Sequence, residues 1–330
     1  MRAIDWVDGA IEIIDQTRLP HQLTHRRLAT VEQLVEAVQE LAVRGAPALG
    51  VAGALGVALA AREFTDPGAV EAAVRRIATA RPTAVNLAAG ARRAAARLPD
   101  GPSAVLVEAL RLRDEEIASS AAMAARGADW LIEHCGPAPR LLTHCNTGGL
   151  ATVSGGTALG VITELHRRGA LGLVIASETR PLLQGARLTA WELTEAGVPY
   201  RLAVDSAGPF LAARGELDAV IVGADRICAN GDVVNKIGTY AHALGAARAG
   251  IPFLVVAPES TLDPATPTGA DVAIEDRGAR EVVEFAGRPV APAGAAAVNP
   301  AFDVTPYDLV TAIITDTRVL TPPLALAATG

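Results

Sequence analysis

Lysine is all but missing from this sequence: of 29 basic residues, Lys236 is the one lysine and the rest are arginine. Aromatics are scarce as well, at 3% of 330 residues, and the net charge is −7. A chain with no basic patch and so few rings to stack on bases argues against nucleic acid as a partner. Its three cysteines (Cys135, Cys145 and Cys228) are odd in number and too few for a disulfide framework, which suits a reducing compartment. No apolar run reaches the ~18 residues that a membrane-spanning helix needs. The longest, residues 46–61, is rich in Ala and Gly, stops at Arg62 and reads as a buried core helix. The amino terminus lacks the basic-then-apolar build of a signal peptide, so a cytoplasmic protein with no membrane partner is expected.

What is present is ample core material: half of the residues are hydrophobic. At roughly 150 residues per domain, the length predicts two domains or one large domain with an appendage. Residues 3–14 alternate apolar and polar on either side of Asp8-Gly9, a favoured two-residue hairpin turn. Thr30 and Gln33 carry a capping-box pattern that opens a helix to about Ala42. Pro47, just after Arg44-Gly45-Ala46, suits the first turn of the next helix. Asp66-Pro67, Arg81-Pro82 and Gly101-Pro102 then punctuate further helical segments. From Arg140 the rhythm changes. Short apolar runs at 141–142, 171–175, 219–222 and 253–256 alternate with helical stretches such as 157–167 and 239–248. That alternation predicts βαβ units, a parallel sheet and an α/β fold. In such sheets ligands bind at the carboxyl ends of the strands.

Three segments at those ends carry chemistry. The first run leads into Thr143-His144-Cys145-Asn146-Thr147-Gly148-Gly149, with a helix expected near Gly155. A thiol beside a helix N-terminus or a cation ionises easily and serves as base or nucleophile, though a free cysteine is as often buried and inert. The run at 219–222 leads to Asp225. A carboxyl at the mouth of an apolar strand is poorly solvated, which favours its protonated, proton-donating form; a helix cap or a partner for Arg226 is the plainer alternative. Next, residues 230–239 read as a polar loop that brings Asn235 and Lys236 to a helix N-terminus, a natural phosphate cradle or a solvated turn. An ammonium acts as a point charge where guanidinium is a planar fork, which points to a role for the lone lysine that arginine cannot fill, the plainer alternative being a surface lysine left by chance. Arg180 and Gln184 follow the run at 171–175, and Arg44-Gly45-Ala46 precede a helix; both groups suit an anion or hydroxyls, or are ordinary loops.

Other signals are weak. Residues 155–160 lack the middle glycine of a dinucleotide fingerprint, and there is no P-loop. His134-Cys135 and His144-Cys145 match no zinc spacing, so no metal is expected.

Together these segments resemble the S-methyl-5-thioribose-1-phosphate isomerases of methionine salvage, relatives of the regulatory subunits of eukaryotic translation initiation factor 2B. The matching stretches are RGAPALG (44–50), THCNTGGLAT (143–152), ETRPLLQGARLTAWEL (178–193), VGADRICANGDVVNKIGTY (222–240) and NPAFDVTP (299–306), in family order. The resemblance implies a mostly helical N-terminal domain with a small sheet (1–118), a Rossmann-like catalytic domain (119–330) and a homodimer. It implies conversion of an aldose 1-phosphate, 5-methylthioribose 1-phosphate, into its ketose, without metal or organic cofactor. By motif position, Cys145 and Asp225 would be catalytic, and Arg44, Gly45, Ala46, Arg81, Gln184, Asn235 and Lys236 would contact the sugar phosphate. Thr147-Gly148-Gly149, Cys228 and Asp316-Thr317-Arg318 depart from the family's usual residues, which touches loop detail and substrate preference. The alternatives are a sister isomerase of 5-deoxyribose 1-phosphate or ribose 1,5-bisphosphate, and a non-catalytic regulatory subunit.

Overall fold

The computed structural model describes residues 2–82 and 84–326, which divide into two compact units. The sequence reading sets a single boundary after residue 118. The first unit instead takes the chain to Ala122 together with a later segment, Thr147–Gly156, and the second takes Met123–Asn146 and the chain from Thr157 onward.

In the first unit, β1 (Ile4–Val7), β2 (Ala10–Ile14) and β3 (His25–Leu28) form an antiparallel sheet. Asp8 and Gly9 both have positive φ (46° and 80°), the geometry that a two-residue hairpin loop needs. Helix α1 (Val31–Gln39) is capped by Thr30, whose side chain accepts from the Gln33 amide. Gln33 in turn accepts from Ala29 N–H at 2.7 Å, one residue before the position a capping box would use. The helix ends short of Ala42 because Leu41 turns left-handed (φ 63°), and the amides of Ala42 and Val43 both return to the Ala37 carbonyl.

Helix α2 (Ala46–Glu63) is apolar all round and buried along almost its whole length. By length and hydropathy it would pass for a membrane span, yet 72% of it is buried inside the protein, which is how a uniformly apolar helix behaves in a folded core. Helices α3 (Pro67–Thr79), which Asp66 caps, and α4 (Val85–Ala95) pack with it. Glycines let α2 and α4 touch backbone to backbone: a Cβ on Gly90 would lie 1.9 Å from the Gly50 carbonyl oxygen. Thr147–Gly156 joins this unit through bonds from Ala3 N–H to the Val153 carbonyl and from the Gln16 amide to the Leu150 carbonyl. Helix α5 (Pro102–Cys135) runs from one unit into the other.

The second unit is built on strands β4 (Arg140–Thr143), β5 (Leu173–Ser177), β6 (Tyr200–Ala203) and β7 (Ala219–Val222). A small sheet branches off through β8 (Arg226–Cys228) and β9 (Val233–Lys236), and the main sheet resumes with β10 (Phe253–Val256). After β11 (Leu262–Asp263) and the β12–β13 hairpin (Glu284–Phe285 and Arg288–Pro289) come β14 (Phe302–Thr305), β15 (Ala312–Ile314) and β16 (Val319–Leu320). The main sheet has the order β16-β15-β10-β7-β4-β5-β6, parallel except for β16; the small one has the order β11-β8-β9-β14. Alternate residues feed two cores. Leu141, Val174, Ile221 and Leu254 pack with α6 (Ala158–Arg167) on one face. Leu142, Ile175, Val220 and Val255 pack on the other, with Ala212 of α8 (Ala207–Ala213) and Ala243 of α9 (Thr239–Ala249). Helix α7 (Ala190–Glu195) joins the first of these faces through Leu193, and the single turn α10 (Arg280–Val283) precedes β12. Burial on both faces is why these strands read as continuous apolar runs.

Two further expectations fail locally. Residues 233–236 form an antiparallel strand and not a loop, since Val233 and Val234 are buried and pair with β8 and β14. The helix expected near Gly155 starts at Ala158. Because the atom facing Gly90 is backbone and cannot yield, Gly90→Ala should destabilise the protein by about 1–3 kcal/mol despite alanine's better helix propensity. Denaturant unfolding checks this, and an unchanged or higher midpoint would contradict the packing described.

Candidate active site

Strand order reverses between β4 and β7. From β4 the chain moves outward to β5 and β6, and from β7 it moves the other way to β10 and β15, while β4 and β7 lie side by side (Leu141 opposite Ala219, Leu142 opposite Val220). A crevice opens at the carboxyl ends of strands that diverge in this way. Cys145 is the second residue past β4 and Asp225 the third past β7, so the topology brings them to the same edge on neighbouring strands.

Cys145 is 9% exposed and held in the left-handed region at φ 62°. A side chain tolerates that conformation only where its surroundings over-determine it, and such positions cluster at functional sites. Here its N–H donates to Thr179 Oγ1 at 2.9 Å and its carbonyl accepts from Thr189 Oγ1 at 2.6 Å. Thr179 is itself left-handed (φ 66°), fixed by its amide's bond to Asp205, which also accepts from Arg180 N–H, each at 2.7 Å. Burial alone would raise the Asp205 carboxyl, but its bonds from Ser177 and those two amides hold it below its ordinary range. No helix begins directly after Cys145: Thr147–Gly156 intervenes before α6, so the bracing comes from side chains and not from a helix terminus.

Asp225 is exposed, against the expectation of a desolvated carboxyl. Past Val222 the chain leaves the apolar sheet through Gly223-Ala224, and Asp225 N–H donates to the Val234 carbonyl of β9 at 2.9 Å. Asp225 precedes a strand, so it caps no helix, and the neighbouring Arg226 reaches Asp263 at 2.9 Å.

The same backbone bond sets Asp225 next to the strand that carries Asn235 and Lys236. Asn235 is buried and donates to Thr239 Oγ1 at 3.0 Å; Lys236 Nζ donates to the Ala301 carbonyl at 2.8 Å and lies 4.8 Å from the centre of the Phe302 ring. The phosphate cradle expected at the helix start is already occupied: Asp303 accepts from Gly238 N–H (2.7 Å) and Tyr240 N–H (3.2 Å) at the start of α9. Burial pushes this carboxyl up to about 6, opposed by those amides and by Lys236. Gln184, 6% exposed, keeps a buried Oε1 with no hydrogen-bond partner, in the turn just before the segment that carries Thr189.

Arg44, Gly45, Ala46 and Arg81 belong to the first unit. Gly45 caps α2 at φ 94°, and a Cβ there would lie 2.0 Å from the Ala151 carbonyl oxygen, so only glycine fits. Arg44 and Arg81 are half-buried, Arg81 between α3 and α4. The sequence reading missed Ser177, Thr179, Thr189 and Asp205; the signal available was that Ser177 ends β5 and Asp205 follows β6, at the same carboxyl edge. Among the described residues, no group of three or more His, Cys, Asp or Glu side chains is placed to hold a metal ion.

Residues 42–322 match the Initiation factor 2 subunit family. The chain belongs to that family. It is 55% identical to a probable bifunctional methylthioribose-1-phosphate isomerase/methylthioribulose-1-phosphate dehydratase of Nocardia farcinica, over 97% of this chain but only 60% of that protein's length. It is 51% identical to a methylthioribose-1-phosphate isomerase of Anaeromyxobacter (98% of this chain, 96% of the relative). It is 49% identical to a 5-deoxyribose 1-phosphate isomerase of Moorella thermoacetica (97% and 94%). Among solved structures, the 5-methylthioribose 1-phosphate isomerase of Pyrococcus horikoshii superposes with TM-score 0.92 at 39% identity, covering 98% of this chain and 93% of that one.

Asp303 holds its proton more tightly folded than unfolded, with its carboxyl at about 6 against an ordinary 3.8, so its contribution to stability declines as pH rises through that interval. The stability difference between the parent and Asp303→Asn should therefore fall across the same window. A difference flat in pH would contradict the burial described for this carboxyl.

Proposed function

We infer that the chain is an aldose–ketose isomerase that converts 5-methylthioribose 1-phosphate into 5-methylthioribulose 1-phosphate, with Cys145 and Asp225 as its acid–base pair. Near-full-length relatives with that name at about half identity support the reaction. The observation that carries the residue assignment is the placement of Cys145 and Asp225 past the two strands between which the sheet's order reverses.

The chemistry fits those groups. Phosphate on the anomeric oxygen stops the ring from opening as a free aldose does, so opening needs an acid at the ring oxygen. Asp225 donates that proton as the bond from the ring oxygen to C1 breaks; a bound sugar covering its exposed carboxyl removes water and favours the neutral form. Cys145 as thiolate takes the C2 proton, the resulting C1–C2 enol is protonated at C1, and loss of its hydroxyl proton leaves the C2 ketone. In the alternative route the C2 hydrogen moves to C1 with its electron pair, and Cys145 takes only the O2 hydroxyl proton. Lys236, Asn235 and Gln184, all of the second unit, bind the phosphate and hydroxyls. The buried, unpartnered Gln184 oxygen supports its part in this set. Side chains alone suffice, with no metal or organic cofactor.

The protein works in this reading as a cytoplasmic homodimer. Its free cysteines suit a reducing compartment. Exposed Leu202 and Val204 by β6, Phe210 on α8, and Tyr240 and Leu244 on α9 offer apolar surface on the second unit for a partner copy. The Moorella relative favours one other substrate, 5-deoxyribose 1-phosphate, which differs only at C5.

Proton NMR of the protein in D₂O with each sugar tests the reaction and the route. Ketose from the methylthio sugar is expected, with deuterium at C1 for proton transfer through an exchanging base and retained hydrogen for the direct shift; turnover of neither sugar contradicts the function. Cys145→Ser should abolish turnover while binding persists, and Asp225→Asn should be inactive at every pH. Near-normal turnover in the first, or activity merely displaced along the pH axis in the second, would remove that residue from its role.

A further inference from the structure

His144 is the residue before Cys145, fully buried, and belongs to neither the proposed acid–base pair nor the substrate contacts. Its Nε2 lies 2.8 Å from the Ile237 carbonyl oxygen, which can only accept, so Nε2 carries the proton and Nδ1 the lone pair. Facing Nδ1 are His242 Nε2 at 3.3 Å and Ser177 Oγ at 3.0 Å. Ser177 also bonds Asp205, the carboxylate that fixes Thr179, the brace on the Cys145 amide. Burial lowers both imidazoles, His242 to about 3, with His144 beside it as a further cause, so the pair is uncharged at neutral pH. His242 Nδ1 is buried without a partner, as fits a ring whose one proton sits on Nε2 and is donated to His144.

The partner at Nε2 is what makes this more than core packing. Ile237 directly follows Lys236, and the Ala301 carbonyl accepts from both Ile237 N–H (3.1 Å) and Lys236 Nζ (2.8 Å). One rigid ring thus spans from the loop that holds Cys145 to the residue that follows Lys236 at the end of β9. A backbone carbonyl and a neutral imidazole are weak partners for charge but good fixed points for position.

We propose that His144 is a positioning residue for the isomerase reaction: through Nδ1 it sets the Cys145 loop, and through Nε2 it sets Lys236. This rests on the function proposed above. The two duties separate by substitution. A glutamine amide reaches the place of Nε2 and keeps the bond to Ile237, while an asparagine reaches only the place of Nδ1 and keeps the contact with His242 and Ser177.

Steady-state kinetics on the methylthio sugar reads the split. His144→Gln should lose about tenfold or more in kcat with KM nearly unchanged, and His144→Asn should raise KM by about fivefold or more with kcat largely kept. Should either variant fail to fold by circular dichroism, Ser177→Ala trims the Nδ1 side with a smaller change and should lower kcat at constant KM. Glutamine and asparagine variants that alter kcat and KM in the same ratio, or that match the parent, overturn the proposal, as does an unaltered kcat in Ser177→Ala. The parent is assayed alongside: if it does not turn over the sugar, the functional reading fails and this inference with it, whereas an active parent with unsplit variants sinks the inference alone.

Discussion

The reversal of strand order between β4 and β7 is the constraint from which the site follows. With both faces of the main sheet packed against apolar side chains, polar chemistry is excluded from its body and left to the strand ends. At the divide the connections from β4 and β7 leave in opposite directions, so the residues just beyond them face an opening that no crossover covers. Cys145 and Asp225 occupy those two positions. The small sheet then brings a third set of groups to the same edge, since the bond from Asp225 N–H to Val234 sets β9 beside the end of β7.

Position at that edge is held at the expense of local backbone comfort. Cys145, Thr179 and Leu183 all take left-handed φ values, a cost of order 1 kcal/mol or more apiece. At Cys145 and Thr179 the strain is met by fixed hydrogen bonds: Thr179 and Thr189 hold the Cys145 N–H and carbonyl, and Asp205 holds the Thr179 and Arg180 amides. Charge is managed in the same way. The start of α9, which would attract an anion, is filled internally by Asp303, so that helix terminus is already satisfied within the fold.

Much of this was legible in the residues. β7 and β10 announce themselves as unbroken apolar runs because they are covered on both sides, and the Asp8-Gly9 hairpin because its turn admits few other residues. β9 was hidden, since its buried valines are followed by Asn235 and Lys236 and preceded by the turn residues Asn230-Gly231-Asp232. The exposure of Asp225 was hidden for a different reason: a strand's apolarity says nothing about which way the chain turns after it. The bracing of Cys145 joins loops that lie 34 and 44 residues from it, and no local pattern encodes such a meeting. Asp303 belongs to the same class, 65 and 63 residues from the two amides it caps.

The central claim is that one sugar phosphate is worked on between Cys145 and Asp225 at the β4–β7 divide. A crystal structure of the Cys145→Ser variant with 5-methylthioribulose 1-phosphate bound tests it most directly. The account predicts the C1–C2 unit within hydrogen-bond reach of both position 145 and the Asp225 carboxyl, with the phosphate toward Lys236. A ketose bound with C2 remote from either side chain, or at any other edge of the sheet, would contradict it.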